Sequence, residues 1–222
     1  MSKHILMVVT TEDKMKDGHA TGLWLSEFGE AYVEFDKLGF QVTVASPKGG
    51  KAPIDARSLE GEVPQEILDT AKYLENTLKL DEITDSSNFD AIFLPGGHGT
   101  MFDLPENIKL QALIRELYEG GKIVAAVCHG PAGLIGVTLS DGTPLVANKT
   151  IAAFTDEDEE EYETTLDRFM PFLLETRLRE LGANVIVAPN WTSNIKVDGN
   201  LITGQNPQST VGVAKEVVQK LA

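Results

Sequence analysis

KIVAAVCHGPAG, residues 122–133, runs an unbroken apolar stretch into a cysteine, a histidine and a glycine-proline turn. A strand with one wet face alternates apolar and polar residues, whereas a run without alternation belongs to a sheet covered on both faces. Further strand-like runs stand at Ile5–Val9, Phe40–Ala45 and Ala91–Leu94, with late ones at Asn184–Ala188 and Leu201–Thr203. Helical patterns lie between them. Residues 22–38 place Leu23, Leu25, Phe28, Tyr32, Phe35 and Leu38 on one face and stop at Gly39. Residues 65–74, 105–118, 169–181 and 208–221 read as helices too, the second opened by Pro105 and stopped by Gly120 and Gly121. A polar stretch from Pro47 to Pro64 breaks the alternation. Strands alternating with helices predict an α/β fold: an open, doubly wound, mostly parallel sheet with helices on both faces, in one domain over residues 1–222.

A chain of 222 residues can bury a large core without staples, and its one cysteine rules out an intrachain disulfide. A lone cysteine in an unstapled domain points to a reducing compartment. The apolar run at Ile5–Val9 is too short for a signal-peptide core, and no stretch approaches the roughly 18 apolar residues of a membrane span. The expected location is the cytoplasm, with no membrane partner. Thirty-four acidic against 19 basic residues give a formal net charge of −15, which repels phosphate backbones and argues against a nucleic-acid partner.

Chemistry concentrates where strands end, since open α/β sheets bind ligands at the carboxyl ends of their strands. Cys128 follows a strand and precedes His129, Gly130 and a helix expected from about Pro131. This is the logic of a nucleophile elbow, in which a strained turn lifts the reactive atom above the sheet. A helix N-terminus aimed at the sulfur would lower the thiol pKa. PGGHG (residues 95–99) brings a second glycine-rich turn to the same edge, so Gly97 N–H and His129 N–H are candidate oxyanion donors. His98 either contacts substrate or serves the turn. The turn carries neither a G-x-G-x-x-G nor a Walker pattern, which argues against phosphate. Glu27 stands among Trp24, Leu25 and Phe28, either buried with a partner or solvated at the edge of the apolar face. No Cys/His cluster offers a metal site and no nicotinamide or flavin motif occurs, so no cofactor is expected.

Four blocks, LPGGHGTMFDLP (94–105), AAVCHGPAGL (125–134), FTDEDEE (154–160) and VDGNLITGQNPQST (197–210), resemble the PfpI-type superfamily. This is the class I glutamine-amidotransferase-like group, with a flavodoxin-like fold, that includes the parkinsonism-associated protein. Within it the chain resembles the branch of heat-shock chaperones and glutathione-independent glyoxalases (glyoxalase III). The resemblance implies that Cys128 is the reactive cysteine, followed by His129, with a glutamate of the first helix at Glu27. An acid after F-T-D completes the set and maps to Glu159, with Asp158 and Glu160 as its neighbours in spacing. It also implies a homodimer.

Glutaminase domains of the superfamily need H-x-E near the C-terminus. The histidines here are His4, His19, His98 and His129, so that pair is absent. The activity that the resemblance implies is conversion of methylglyoxal, a small 2-oxoaldehyde, and water to lactate through a Cys128 hemithioacetal. His129 or Glu27 would serve as the base. The competing readings are a stress holdase, a deglycase and a redox sensor that oxidises Cys128.

Overall fold

The computed structural model describes residues 2–16, 18–162 and 169–222, and of residues 160–162 the backbone alone. Among the described residues, seven strands form the main sheet: β1 (His4–Val8), β2 (Gln41–Ser46), β3 (Leu78–Lys79), β4 (Ala91–Leu94), β5 (Ile123–Val127), β8 (Ile195–Asp198) and β9 (Leu201–Gly204). Their order is β3-β2-β1-β4-β5-β9-β8, and every pairing is parallel except β8 with β9. β6 (Thr150–Ile151) and β7 (Asn184–Val185) pair separately as a two-stranded ribbon.

The strand order dictates the layers. From β1 the chain crosses through α1 (Leu25–Asp36) to β2 on one side; from β4 it crosses through α4 (Ile108–Glu119) to β5 on the other. Both crossovers being right-handed, the two helices lie on opposite faces. α1 packs against α7 (Thr210–Leu221), which covers β5 and β9, and α4 covers β4 and β5. β5 is therefore buried at every residue, as its apolar run predicts. Phe35 of α1 meets Phe93 of β4 edge to face, ring centres 5.8 Å apart. The reversal of strand order falls between β1 and β4, the crevice where open α/β sheets bind ligands.

Several expected boundaries move, each for a local reason. The first helix starts at Leu25 instead of residue 22, because Leu23 stays extended: its N–H donates to Pro53 O and its carbonyl accepts from Asp55 N, both at 2.9 Å. The helix expected from Pro105 starts at Ile108, where Asn107 Oδ1 accepts from Leu110 N at 2.9 Å and caps it. Residues 65–74 divide into a short α2 (Gln65–Leu68) and a 3₁₀ segment. The helix expected over 169–181 occupies only Leu174–Glu180, and the strand expected over Asn184–Ala188 only its first two residues. No helix among the described residues is long and apolar enough to cross a membrane.

Ile92 lies at the centre of the sheet, fully buried. Ile92→Ala should lower the urea-unfolding free energy by about 2–5 kcal/mol. Val197, 44% exposed on the edge strand, should lose less than about 0.5 kcal/mol on the same change. Equal losses would show that the sheet centre is not the core.

Candidate active site

Cys128 follows β5 directly, and its backbone takes φ +62°, a left-handed conformation that side chains with a Cβ rarely adopt. Two hydrogen bonds pin it there: Cys128 N–H donates to Gly204 O at 3.0 Å, and Phe154 N–H donates to Cys128 O at 2.9 Å. The next turn closes because Gly130 has no side chain. A Cβ at that position would run into the Leu94 carbonyl of the neighbouring strand.

The helix expected after the elbow is only a five-residue 3₁₀ turn, Gly130–Leu134. This removes the basis for a depressed thiol pKa. Burial pushes the Cys128 thiol well up instead, and a charged Glu27 pushes it the same way. The His129 backbone N–H acts in the opposite direction, by hydrogen bonding to the sulfur.

Glu27 lies in the first turn of α1, fully buried. Its Oε2 accepts from Gly96 N–H at 2.6 Å. Oε1 has no hydrogen-bond partner of ordinary geometry, although the carboxyl group sits beside the Cys128 thiol. Burial raises its pKa to about 8, against the lowering effect of the thiol and of Gly96 N–H. Glu27 is thus a neutral acid at pH 7, and the alternative of a solvated edge residue falls.

His129 Nδ1 lies 3.5 Å from Cys128 Sγ. His129 Nε2 donates to Glu159 Oε2 at 2.9 Å, and His98 Nε2 donates to Glu159 Oε1 at 3.0 Å. One carboxylate bridges two imidazoles whose ring centres are 4.4 Å apart. Burial would raise the pKa of Glu159, but His129 first and then His98, each holding one of its oxygens, outweigh it and keep the group well below the usual carboxylate range. The neighbouring acid Asp158 points elsewhere, its Oδ2 accepting from Thr155 Oγ1 at 2.8 Å and Gln205 Nε2 at 2.9 Å. The Glu160 side chain lies outside the described residues.

His98 is not a solvent-facing turn residue. It is buried, and its Nδ1 accepts from Arg57 Nη2 at 3.1 Å. Gly97 has φ +101°, and a Cβ there would strike Leu23 Cα and Trp24 N, each 2.6 Å away. Trp24, Phe154, Trp191 and Pro207 join Glu27, Gly97, His98, Cys128 and His129 around a small cavity. Ligand atoms of His98, His129 and Glu159 lie within 4.8 Å of one another, close enough to hold a metal ion. The same atoms are bonded to each other at 2.9 and 3.0 Å, so the arrangement is a hydrogen-bonded relay, which an ion would have to break at both links.

The cavity, the left-handed cysteine and the carboxylate-bridged histidines stand on segments that a family model matches over residues 18–220. The chain belongs to the DJ-1/PfpI family. Among curated members, the glutathione-independent glyoxalase hsp3102 of Schizosaccharomyces pombe is 34% identical over 221 residues, covering 92% of this chain and 91% of that protein. Among solved structures, the Francisella tularensis Rapid Encystment Protein of 24 kDa is 34% identical with a TM-score of 0.93, covering 99% of each chain. Glyoxalase III of Candida albicans is 30% identical with a TM-score of 0.85, covering 98% of this chain and 96% of the other.

Sequence reasoning missed Arg57 and the aromatic walls. Arg57 lies in the polar excursion, where no periodicity marks it; Phe154 opens the FTDEDEE block, whose reading turns on its acids, and Trp191 carries no motif.

The thiol and the Glu27 carboxyl share one apolar site, so ionising either opposes ionising the other. Above about pH 8 Glu27 carries the charge that resists the thiolate. Glu27→Gln removes that charge, and iodoacetamide alkylation of Cys128 should move to lower pH than in the wild type. An unmoved or raised midpoint would mean that Glu27 does not act on the sulfur.

Proposed function

We propose that the protein is a glutathione-independent glyoxalase, converting a small 2-oxoaldehyde of the methylglyoxal class and water to the 2-hydroxy acid. The observation that carries this reading is the pair of proton-handling groups next to one sulfur: a neutral carboxylic acid, Glu27, and an imidazole, His129, backed by a carboxylate. Aldehyde-to-acid isomerisation needs one group to take a carbon-bound proton and another to supply a proton to the adjacent oxygen. Several relatives that this chain resembles over most of its length are named glyoxalases.

In this scheme His129 Nδ1 takes the thiol proton as Cys128 Sγ bonds to the aldehyde carbon, C1. That proton passes to the new C1 oxygen, giving a neutral hemithioacetal. His129, free again, removes the C1 hydrogen as a proton, while Glu27 protonates the C2 carbonyl oxygen. The enediol then takes the His129 proton at C2 and returns its C1 hydroxyl proton to Glu27, leaving a Cys128 thioester. Water breaks the C1–S bond, releases the acid and restores the thiol. Gly97 and His129 line the same cavity as the sulfur, and in this scheme their N–H groups are the donors to the oxyanion of that last step. Glu27, protonated at neutral pH, fits the acid better than the first base, which leaves His129 as the base. Glu159 orients the imidazole and balances its charge while it holds a proton.

Purified protein should turn methylglyoxal into lactate with no glutathione added and with no loss of rate in EDTA. Cys128→Ala should abolish the reaction. Turnover that requires glutathione or added zinc, or that survives Cys128→Ala, overturns the reading.

Glu159→Gln keeps the shape of the side chain but not its charge. Turnover should fall by about 10²-fold, within the range for acid–base groups. Iodoacetamide should still label Cys128. Unchanged turnover in Glu159→Gln would remove Glu159 from the machinery.

A further inference from the structure

The histidine bridged to His129 through Glu159 has a second partner whose chemistry admits only one arrangement of protons. Arg57 Nη2 lies 3.1 Å from His98 Nδ1. A guanidinium has five N–H donors, no acceptor, and stays charged at every working pH. The bond therefore requires a lone pair on His98 Nδ1. That places the one ring proton on Nε2, where it donates to Glu159 Oε1 at 3.0 Å.

Arg57 is itself aimed. Asp55 Oδ1 accepts from Arg57 N at 3.0 Å and from Nε at 2.9 Å, and Asp55 Oδ2 accepts from Nη2 at 2.6 Å. Thr21 Oγ1 donates to the same Oδ2 at 3.1 Å, and Asp55 is buried. The fork leaves Nη2 with one proton for Asp55 and the other for His98.

We infer that Arg57 is a positioning residue: it locks His98 as the neutral Nε2–H tautomer, so that Glu159 serves a single cation, the protonated His129. The consequence for turnover rests on the glyoxalase reading; the lock itself does not. A second proton on His98 would set Nδ1–H against the guanidinium and put a positive charge beside His129, weakening that imidazole as a base. Among the described residues, the groups facing His98 include Glu159, His129 and Arg57, with the Phe154 ring alongside. Burial first, then His129, push the pKa of His98 down, and Arg57 pushes it further, against the Glu159 carboxylate.

The test reads the ring nitrogens directly, by ¹⁵N NMR of imidazole-labelled protein between pH 5 and 8, without substrate. Wild-type His98 should show a protonated Nε2 and a bare Nδ1 throughout. A protonated Nδ1 in the wild type overturns the inference, whether or not the protein is a glyoxalase. In Arg57→Met the lock is gone, and His98 should take up a second proton within that range. The acid limb of kcat/KM should move to higher pH, with about tenfold lower activity one unit below the new midpoint. Arg57→Lys keeps a cationic donor and should retain the wild-type nitrogen shifts, which guards against loss of folding in Arg57→Met. Shifts in Arg57→Met that match the wild type across the titration would overturn the lock.

Discussion

The backbone of Cys128 is the constraint on which the site depends. A left-handed conformation in a residue with a Cβ costs on the order of 1–3 kcal/mol and persists only where its surroundings over-determine it. Here the same residue is tied on both sides. Its N–H reaches Gly204 at the end of β9, and its carbonyl receives Phe154 N–H, which carries the chain toward the helix that bears Glu159. The elbow thus fixes three things together: the sulfur above the sheet, the His129 ring beside it, and the start of the segment that supplies the carboxylate. β5 and β9, paired from Val124↔Leu201 to Val127↔Gly204, are the rigid base that sustains the strain.

Two buried acids stand near the sulfur and behave in opposite ways, and the difference lies entirely in their partners. Glu27 has one backbone N–H and a weakly polar thiol for company, so burial dominates and it stays protonated to about pH 8. Glu159 is nearly as deeply buried but faces two imidazole nitrogens at 2.9 and 3.0 Å, so it stays charged. Pairs of titratable groups driven apart by their surroundings mark acid and base roles. The split places a proton source and a charge balance around one nucleophile.

Much of this was legible in the sequence, because periodicity reports burial. The unbroken apolar run of β5 predicted a strand covered on both faces, and the alternation of strands and helices gave the doubly wound sheet. The elbow and Gly97 stood out by their chemistry where the pattern puts them; periodicity left Glu27 open between burial and solvation, and Glu159, one acid in a run, came from the family resemblance alone. What stayed hidden depends on contacts between distant segments. The extended conformation of Leu23 comes from pairing with Pro53 and Asp55. Arg57 meets His98 across 41 positions of sequence, from a stretch with no period at all. The turn after Cys128 also departs from expectation: Pro131 is compatible with a helix start, but the segment Gly130–Leu134 is only a 3₁₀ turn.

The walls of the cavity bear on what can enter. Trp191 adopts φ +59° and meets Phe154 edge to face, ring centres 5.9 Å apart and planes inclined by 62°, while Gly97 packs closely against Leu23 and Trp24. Tight glycine contacts and aromatic walls leave little freedom to widen, so a molecule with few heavy atoms and no charge enters at the lowest desolvation cost. A 2-oxoaldehyde meets both conditions. Its hydration product does not, because it carries a carboxylate into a space whose lining histidines, His98 and His129, are bridged from behind by the ionised Glu159. The same charge that steadies protonated His129 during the reaction therefore works against retention of the acid once the thioester is cleaved.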